Sequence, residues 1–323
     1  MHIPVIDIAA FPDGSPAARN AVIQQVADAC EHIGFLIIKS HGIDQALLDR
    51  AFAVSRDFFD LPVETKMQAR PMDEVAPRGY AAMASKGLAG TLGVDAPKDL
   101  REQFMLGTPA PLPASCAAYP HAAGCYAPNV WPGQPAEYRP TFTALYAAME
   151  ALAARLMRIF ALGLRLPESY FDDKIDHHFS VLGSNHYPRL EIPPLPGQLR
   201  TGAHTDFGSL TILCPTPGPG GLEVQMADGT WLGIQPTPGA LIINLGDMMA
   251  RWTNDRWRST LHRVVNPTDA EAAMSRRQSI AFFCHPNYDA EIACLDGCAA
   301  PGQPPRHAPI LAGEHMRHKM MKR

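Results

Sequence analysis

The segment Gly202-Ala203-His204-Thr205-Asp206 sets an imidazole and a carboxylate two residues apart, and a second imidazole follows far downstream in Ser259-Thr260-Leu261-His262-Arg263-Val264. On a β-strand, residues i and i+2 point to the same face, so His204 and Asp206 can reach one ion together. His262 sits in another segment of strand character, and a barrel would bring it from across the interior as the third ligand. Two imidazoles and one carboxylate on one side of an ion suit ferrous iron and leave three positions open. Open positions matter for oxygen chemistry, because O2 and an organic partner must meet at the same metal. A closed four-ligand site would serve structure alone. The bland alternative is a set of hydrogen-bonded core residues, which is weakened by the cost of burying an unpaired carboxylate.

Two further pairs have the same spacing. Arg277-Gln278-Ser279 sets a guanidinium and a hydroxyl on one strand face, a good clamp for a carboxylate. Asn185-His186-Tyr187 offers an amide and a phenol for the same anion, and alternation turns His186 away from it. Structural roles compete with these readings: a salt bridge closing a barrel end for Arg277, and packing or turn capping for Asn185 and Tyr187. Other groups are read as structural. His177 and His178 are adjacent and would diverge on a strand. His315 and His318, at i and i+3 on a tail helix, fit a solvated face. Cys294 and Cys298 lack a second ligand pair for zinc, and Cys214 and Cys284 lie in apolar strands as inert core.

The elements that must hold these residues follow from periodicity. Ile3 to Ile8 reads as a strand. Ser15 before Pro16 starts a helix carrying Val22, Val26 and Ala29, and Phe35 to Lys39 is a second strand. Asp44 caps a helix with Leu48, Phe52, Ser55 and Phe59 at helical spacing, ending before Pro62. Pro109 to Pro135 has no period and reads as a long ordered loop or a poorly structured excursion. The stripe Phe142, Leu145, Met149, Leu152, Leu156, Ile159 and Leu162 predicts one long helix packed on a sheet. From about Phe179 to Pro286 short β-type runs alternate with Gly, Pro, Asn and Asp, which points to a sandwich or barrel.

Composition limits the partners. The 323 residues carry a formal charge of −4, and no Lys/Arg cluster precedes the short tail from Arg317 to Arg323, so a nucleic-acid partner is not expected. Seven cysteines at irregular spacing do not form a disulfide framework, and Asp7 falls too early for a signal peptide. No run approaches the roughly 18 apolar residues of a membrane span. A cytoplasmic protein without an obligatory protein partner is the expectation.

The run Gly202 to Leu213 resembles the hallmark of the isopenicillin N synthase-like family of 2-oxoglutarate- and Fe(II)-dependent oxygenases. So do Gly220-Gly221-Leu222-Glu223-Val224, Asn244-Leu245-Gly246-Asp247, the segments around His262 and Arg277, and Ile3-Pro4-Val5-Ile6-Asp7, His41-Gly42-Ile43 and Asn129-Val130-Trp131-Pro132. The resemblance spans nearly the whole chain. It implies one domain, 1–323: a mainly β double-stranded β-helix (jelly roll) at 176–290, an N-terminal α/β region at 1–105, a loop and one long supporting helix at 106–175, and a tail at 291–323. It assigns His204, Asp206 and His262 to Fe(II), Arg277 and Ser279 to the distal carboxylate of 2-oxoglutarate, and Tyr187 and Asn185 to further contacts with that co-substrate. Tyr80, Phe104, Met105 and Phe207 are expected in the wall around a small-molecule substrate. The implied reaction uses O2, releases succinate and CO2, and hydroxylates, desaturates or cyclises the substrate. Two alternatives remain: an Fe(II) oxidase that needs no 2-oxoglutarate, like isopenicillin N synthase itself, and a non-catalytic metabolite- or metal-binding barrel. The glutamine near the C-terminus of isopenicillin N synthase that can occupy the iron has no match after Gln303, which favours the 2-oxoglutarate reading.

Overall fold

In the strand Phe35–Lys39 successive side chains leave the backbone in opposite directions, and each set finds its own core. Leu36 and Ile38 join a large cluster with the helices, while Phe35 and Ile37 join a smaller one with Tyr187, Leu222, Val224, Ile242 and Val264. A sheet buried on both faces explains why its strands read as continuous apolar runs. The computed structural model describes residues 2–71, 78–216, 218, 221–268, 275–300 and 302–321.

In chain order the first part holds β1 (Val5–Asp7), α1 (Pro16–His32), β2 (Phe35–Lys39), α2 (Gln45–Phe59), α3 (Val63–Met67), β3 (Gly79–Ala81) and β4 (Glu102–Gly107). Then come α4 (Ala122–Cys125) and the long α5 (Tyr138–Gly163). The strands β5 (Val181–Tyr187), β6 (Thr201–His204), β7 (Leu210–Pro215), β8 (Leu222–Gln225), β9 (Trp231–Gly233) and β10 (Leu241–Leu245) follow. The chain ends with α6 (Asp247–Trp252), β11 (His262–Val264), β12 (Arg277–Cys284), β13 (Glu291–Ile292), β14 (Ile310–Leu311) and α7 (Ala312–Met320).

Among the described residues, eight strands form the major sheet in the order β1-β2-β10-β7-β12-β5-β4-β3, and four form the facing sheet in the order β6-β11-β8-β9. These two layers make the expected jelly-roll core. The major sheet recruits strands from the N-terminal region at both edges, so β1, β2, β3 and β4 complete the same layer as the later strands. Its outer face carries α1, α2 and α5; of the long stripe, Phe142, Leu145, Met149, Leu152, Leu156 and Ile159 are buried there, and Leu162 is packed at its margin. The caps form as their residue types require. The Ser15 hydroxyl accepts from the Ala18 N–H with Pro16 opening α1, and the Asp44 carboxylate accepts from the Ala46 N–H at the start of α2.

Candidate metal centre

The two histidines arrive on neighbouring strands. His204 ends β6, His262 begins β11, and they are direct register partners in an antiparallel pair, with ring centroids 4.2 Å apart. This corrects the expectation that His262 comes from across the barrel. Asp206 lies just past the end of β6, so the turn, and not strand alternation, aims its carboxylate. Its Oδ1 stands 3.8 Å from His204 Nε2 and its Oδ2 3.9 Å from His262 Nε2. One donor atom from each of the three residues lies within 4.8 Å of the others, and all three side chains are buried.

The surroundings fix each donor. His204 Nδ1–H donates to the Gly202 carbonyl at 2.8 Å and His262 Nδ1–H to the Thr260 carbonyl at 3.0 Å, which turns both Nε2 atoms toward Asp206. Asp206 Oδ2 accepts from Thr211 Oγ1 at 2.6 Å and from Asn244 Nδ2 at 2.7 Å. Backbone locks the turn as well: Asp247 N–H donates to the Asp206 carbonyl at 2.8 Å, and the Asp247 carboxylate accepts from Thr205, Ser259 and Lys319. Gly208 and Gly246 let these two segments touch, since a Cβ on Gly246 would stand 2.3 Å from the Gly208 carbonyl oxygen. The donor set fits a ferrous ion: two neutral imidazole nitrogens and one carboxylate, all converging, with their far sides engaged by hydrogen bonds.

Register assembles the second group. Tyr187 faces Arg277 and Asn185 faces Ser279 across β5 and β12, which puts all four on the inner face of the major sheet. The Arg277 guanidinium lies 5.3 Å from the Tyr187 ring centroid, and Asn185 Nδ2 donates to Ser279 Oγ at 3.2 Å. Burial holds the Arg277 guanidinium below its ordinary value, the more favourable for a bound carboxylate. Gly221 adjoins both this group and the strand that carries His262. A Cβ there would meet Arg277 Nη1 at 3.5 Å and Val264 Cγ1 at 3.6 Å, so the guanidinium and Val264 adjoin one point. Val264 is two residues from His262 on the same strand face, roughly 7 Å away.

The wall residues divide. Phe104 and Tyr80 are register partners on the outer face, packed around Phe58 with ring centroids 5.0 and 5.8 Å from it, and the Tyr80 hydroxyl donates to Glu102. They are core residues beneath α2, which corrects the expectation that they line the pocket. Met105 lies on the opposite face of β4, against Gly183, and Phe207 lies beside Asp206 with Lys319 Nζ 5.4 Å from its ring centroid. Sequence reasoning missed Gln103, Phe283, Thr211 and Asn244. Gln103 pairs with Asn185, Phe283 with Thr211, and Thr211 with Asn244, so all four share the inner face with Ser279 and Arg277. The i, i+2 spacing from Arg277 through Ser279 to Phe283 was the available signal. His186 faces outward as expected, donating from Nδ1 to Glu102 Oε1 at 3.1 Å and stacking on Phe59.

His178 Nε2 donates to Glu150 at 2.7 Å, away from His177. His315 is buried while His318 is exposed, so the tail pair is split and not one solvated face. Burial pushes the Cys214 and Cys284 thiols up to about 12, in keeping with inert core positions. A cleft of about 580 Å³ beside α6 and α7, lined by Asp247, Arg251, Ser259, His315 and Lys319 among others, includes none of His204, Asp206 and His262 in its lining. No helix among the described residues is long and apolar enough to cross a membrane.

The chain is similar to known proteins. Residues 3–134 match the family described as non-haem dioxygenase in morphine synthesis N-terminal, and residues 178–286 match the 2OG-Fe(II) oxygenase superfamily. A 2-oxoglutarate-Fe(II) type oxidoreductase, hxnY, of Emericella nidulans is 33% identical over 97% of this chain and 88% of its own length. A validamycin A dioxygenase of Streptomyces hygroscopicus subsp. limoneus is 33% identical over 91% of this chain and 79% of its own. Among solved structures, a 2OG-Fe(II) oxygenase family protein from Caulobacter crescentus superposes with a TM-score of 0.84 at 31% identity, covering 99% of this chain and 98% of that one. A full-length Neurospora crassa protein, solved in complex with alpha-KG and thymine, gives 0.83 at 29% identity, covering 99% and 97%. Members of this superfamily use Fe(II), 2-oxoglutarate and O2, so of the three readings the 2-oxoglutarate-dependent one stands. The chain belongs to the 2OG-Fe(II) oxygenase superfamily and is a 2-oxoglutarate- and Fe(II)-dependent dioxygenase of small-molecule substrates.

Proposed function

We propose that His204, Asp206 and His262 hold the Fe(II), that Arg277 and Ser279 receive the distal carboxylate of 2-oxoglutarate, and that Tyr187 and Asn185 shape that subsite. The observation that supports this reading is the point at Gly221 where Arg277 and Val264 meet, because Val264 lies two residues, about 7 Å along β11, from His262. When bound, the metal supplies O2 activation. The chain's own work is placement. Asp206 gives the centre its negative charge, with one oxygen engaged by Thr211 and Asn244 and the other facing His204. Arg277 neutralises the far carboxylate in a buried subsite, where a charged fork is stronger than in water.

The substrate then meets the remaining inner face. Gln103, Met105 and Phe283 border it, and Asn185 joins it to the co-substrate subsite because its carbonyl accepts from Gln103 and Arg101 at 2.9 and 3.1 Å. One amide between two apolar side chains favours a compact molecule with a hydrogen-bonding edge. The thymine bound to the Neurospora relative is of that size, which supports the reading. Loss of a substrate hydrogen leads to hydroxylation, desaturation or cyclisation, and the substrate decides which. We further read 1–323 as one domain, since strands of the N-terminal region share the major sheet with the later ones, and as a cytoplasmic protein, given that all seven cysteines are free.

Succinate release across a panel of nucleobases, amino acids and cyclic polyols tests the substrate class. Stimulation by a compact polar ring supports it, and stimulation only by long apolar chains contradicts it. Arg277→Lys tests the co-substrate subsite, with a 2-oxoglutarate requirement raised about 10-fold or more as the expected result.

A further inference from the structure

The Pro-rich segment before the long helix is pinned at one place by side chains that have no part in the oxygenase site. Cys116 closes a 3-10 turn, Ala114–Cys116, and its side chain is fully buried. It meets His177, from the approach to β5, and Asp289, from the turn after β12. One donor atom from each lies within 4.8 Å of the others, as in the His204-Asp206-His262 group.

The imidazole is already oriented. His177 Nδ1–H donates to Asp176 Oδ1 at 2.6 Å, and Asn287 grips both neighbours, donating to Asp176 Oδ1 at 2.7 Å and accepting from the His177 N–H at 3.0 Å. That leaves His177 Nε2 turned to Asp289 Oδ1, 3.3 Å away. A carboxylate behind an imidazole whose other nitrogen faces further donors is the arrangement that fixes metal-binding histidines. A tetrahedral ion with bonds of about 2.0 to 2.3 Å sets its donors roughly 3.3 to 3.8 Å apart, so this group needs only a small contraction.

The donor types choose the ion. One thiol, one imidazole and one carboxylate suit borderline-soft zinc, and the sulfur disfavours calcium and magnesium. We propose that Cys116, His177 and Asp289 form a second metal site, distinct from the iron centre, which takes Zn²⁺ with water as fourth ligand. The ion staples the Pro-rich segment to the loops flanking β5 and β12. Binding converts the Cys116 thiol to thiolate and releases its proton to solvent, with no change of oxidation state. Because binding needs the thiolate, zinc affinity falls as pH is lowered.

Cobalt(II) tests the assignment, because sulfur ligation gives a near-ultraviolet charge-transfer band that the His-Asp-His centre lacks the sulfur to produce. The full chain, stripped with chelator and titrated with Co²⁺, is expected to show the band in the wild type and in Asp206→Ala, to lose it in Cys116→Ser, and to lose it one-for-one as Zn²⁺ is added. Asp289→Asn is a second route should Cys116→Ser fold poorly, with folding followed by circular dichroism. Asp176→Asn keeps all three ligands and is expected to keep the band while weakening zinc about 10- to 100-fold, the effect of a positioning residue. A cobalt-loaded wild type without the band, or a band that survives in Cys116→Ser, overturns the proposal.

Discussion

His204 and His262 are register partners on adjacent antiparallel strands, and each ring is held by the carbonyl two residues before it in sequence, Gly202 for one and Thr260 for the other. The two strand ends therefore present their Nε2 atoms as a matched pair. Asp206 completes the set from the following turn, where Thr211 and Asn244 hold one of its oxygens.

On the proposed assignment of Asp206 to the metal, the hydrogen bonds behind it tune Fe(II) affinity. Asn244→Leu and Thr211→Val are each expected to weaken Fe(II) binding about 10- to 100-fold while the chain stays folded. Titration of the stripped protein with Fe(II) under anaerobic conditions, alongside thermal melting, measures both. Unchanged affinity in both variants would count against this role.

Gln103 and Phe104 are neighbours on β4 with opposite duties. Gln103→Ala is expected to lower kcat/KM for the substrate with little change in melting temperature. Phe104→Ala is expected to cost about 3 to 5 kcal/mol of stability, because it empties a site packed against Phe58 and Tyr138. The reverse pattern in denaturant melts and steady-state kinetics would return Phe104 to the pocket wall.

That pair also marks where sequence reading stops. The triad, the caps at Ser15 and Asp44 and the long stripe of α5 are local signals, and each is legible from residue type and spacing. Alternation shows that Gln103 and Phe104 point opposite ways, but which way is inward depends on pairing with β5, a contact distant in sequence. Phe104 is the more apolar and so reads as a wall, yet the larger core lies outside the sheet under α2 and α5. His262 shows the same limit: its residue type is legible, its register with His204 is not. Asn244 is visible within Asn244-Leu245-Gly246-Asp247, but its bond to Asp206 needs β10 beside β7.

Acid should act through Glu102. Burial tends to raise its carboxyl, but hydrogen bonds from His186, Lys66 and Tyr80 outweigh that and hold it at about 2, against an ordinary 4.5. A carboxyl depressed in the folded state contributes stability that is fully present above its unfolded value and is lost as pH falls through the folded one. The window therefore runs from about 4.5 down to about 2, and the contribution is roughly 3 kcal/mol. Melting curves across that window should fall more steeply for the wild type than for Glu102→Gln. Parallel curves would show that Glu102 gains nothing from its partners.

Turnover is expected to run through 2-oxoglutarate at the proposed His204-Asp206-His262 centre. Succinate formed per O2 consumed, with Fe(II) and substrate present, is measured for the wild type and Asp206→Ala with and without 2-oxoglutarate. One succinate per O2 is expected in the wild type only when 2-oxoglutarate is supplied, and none in Asp206→Ala. Substrate oxidation at full rate without 2-oxoglutarate, or retained succinate formation in Asp206→Ala, would contradict it.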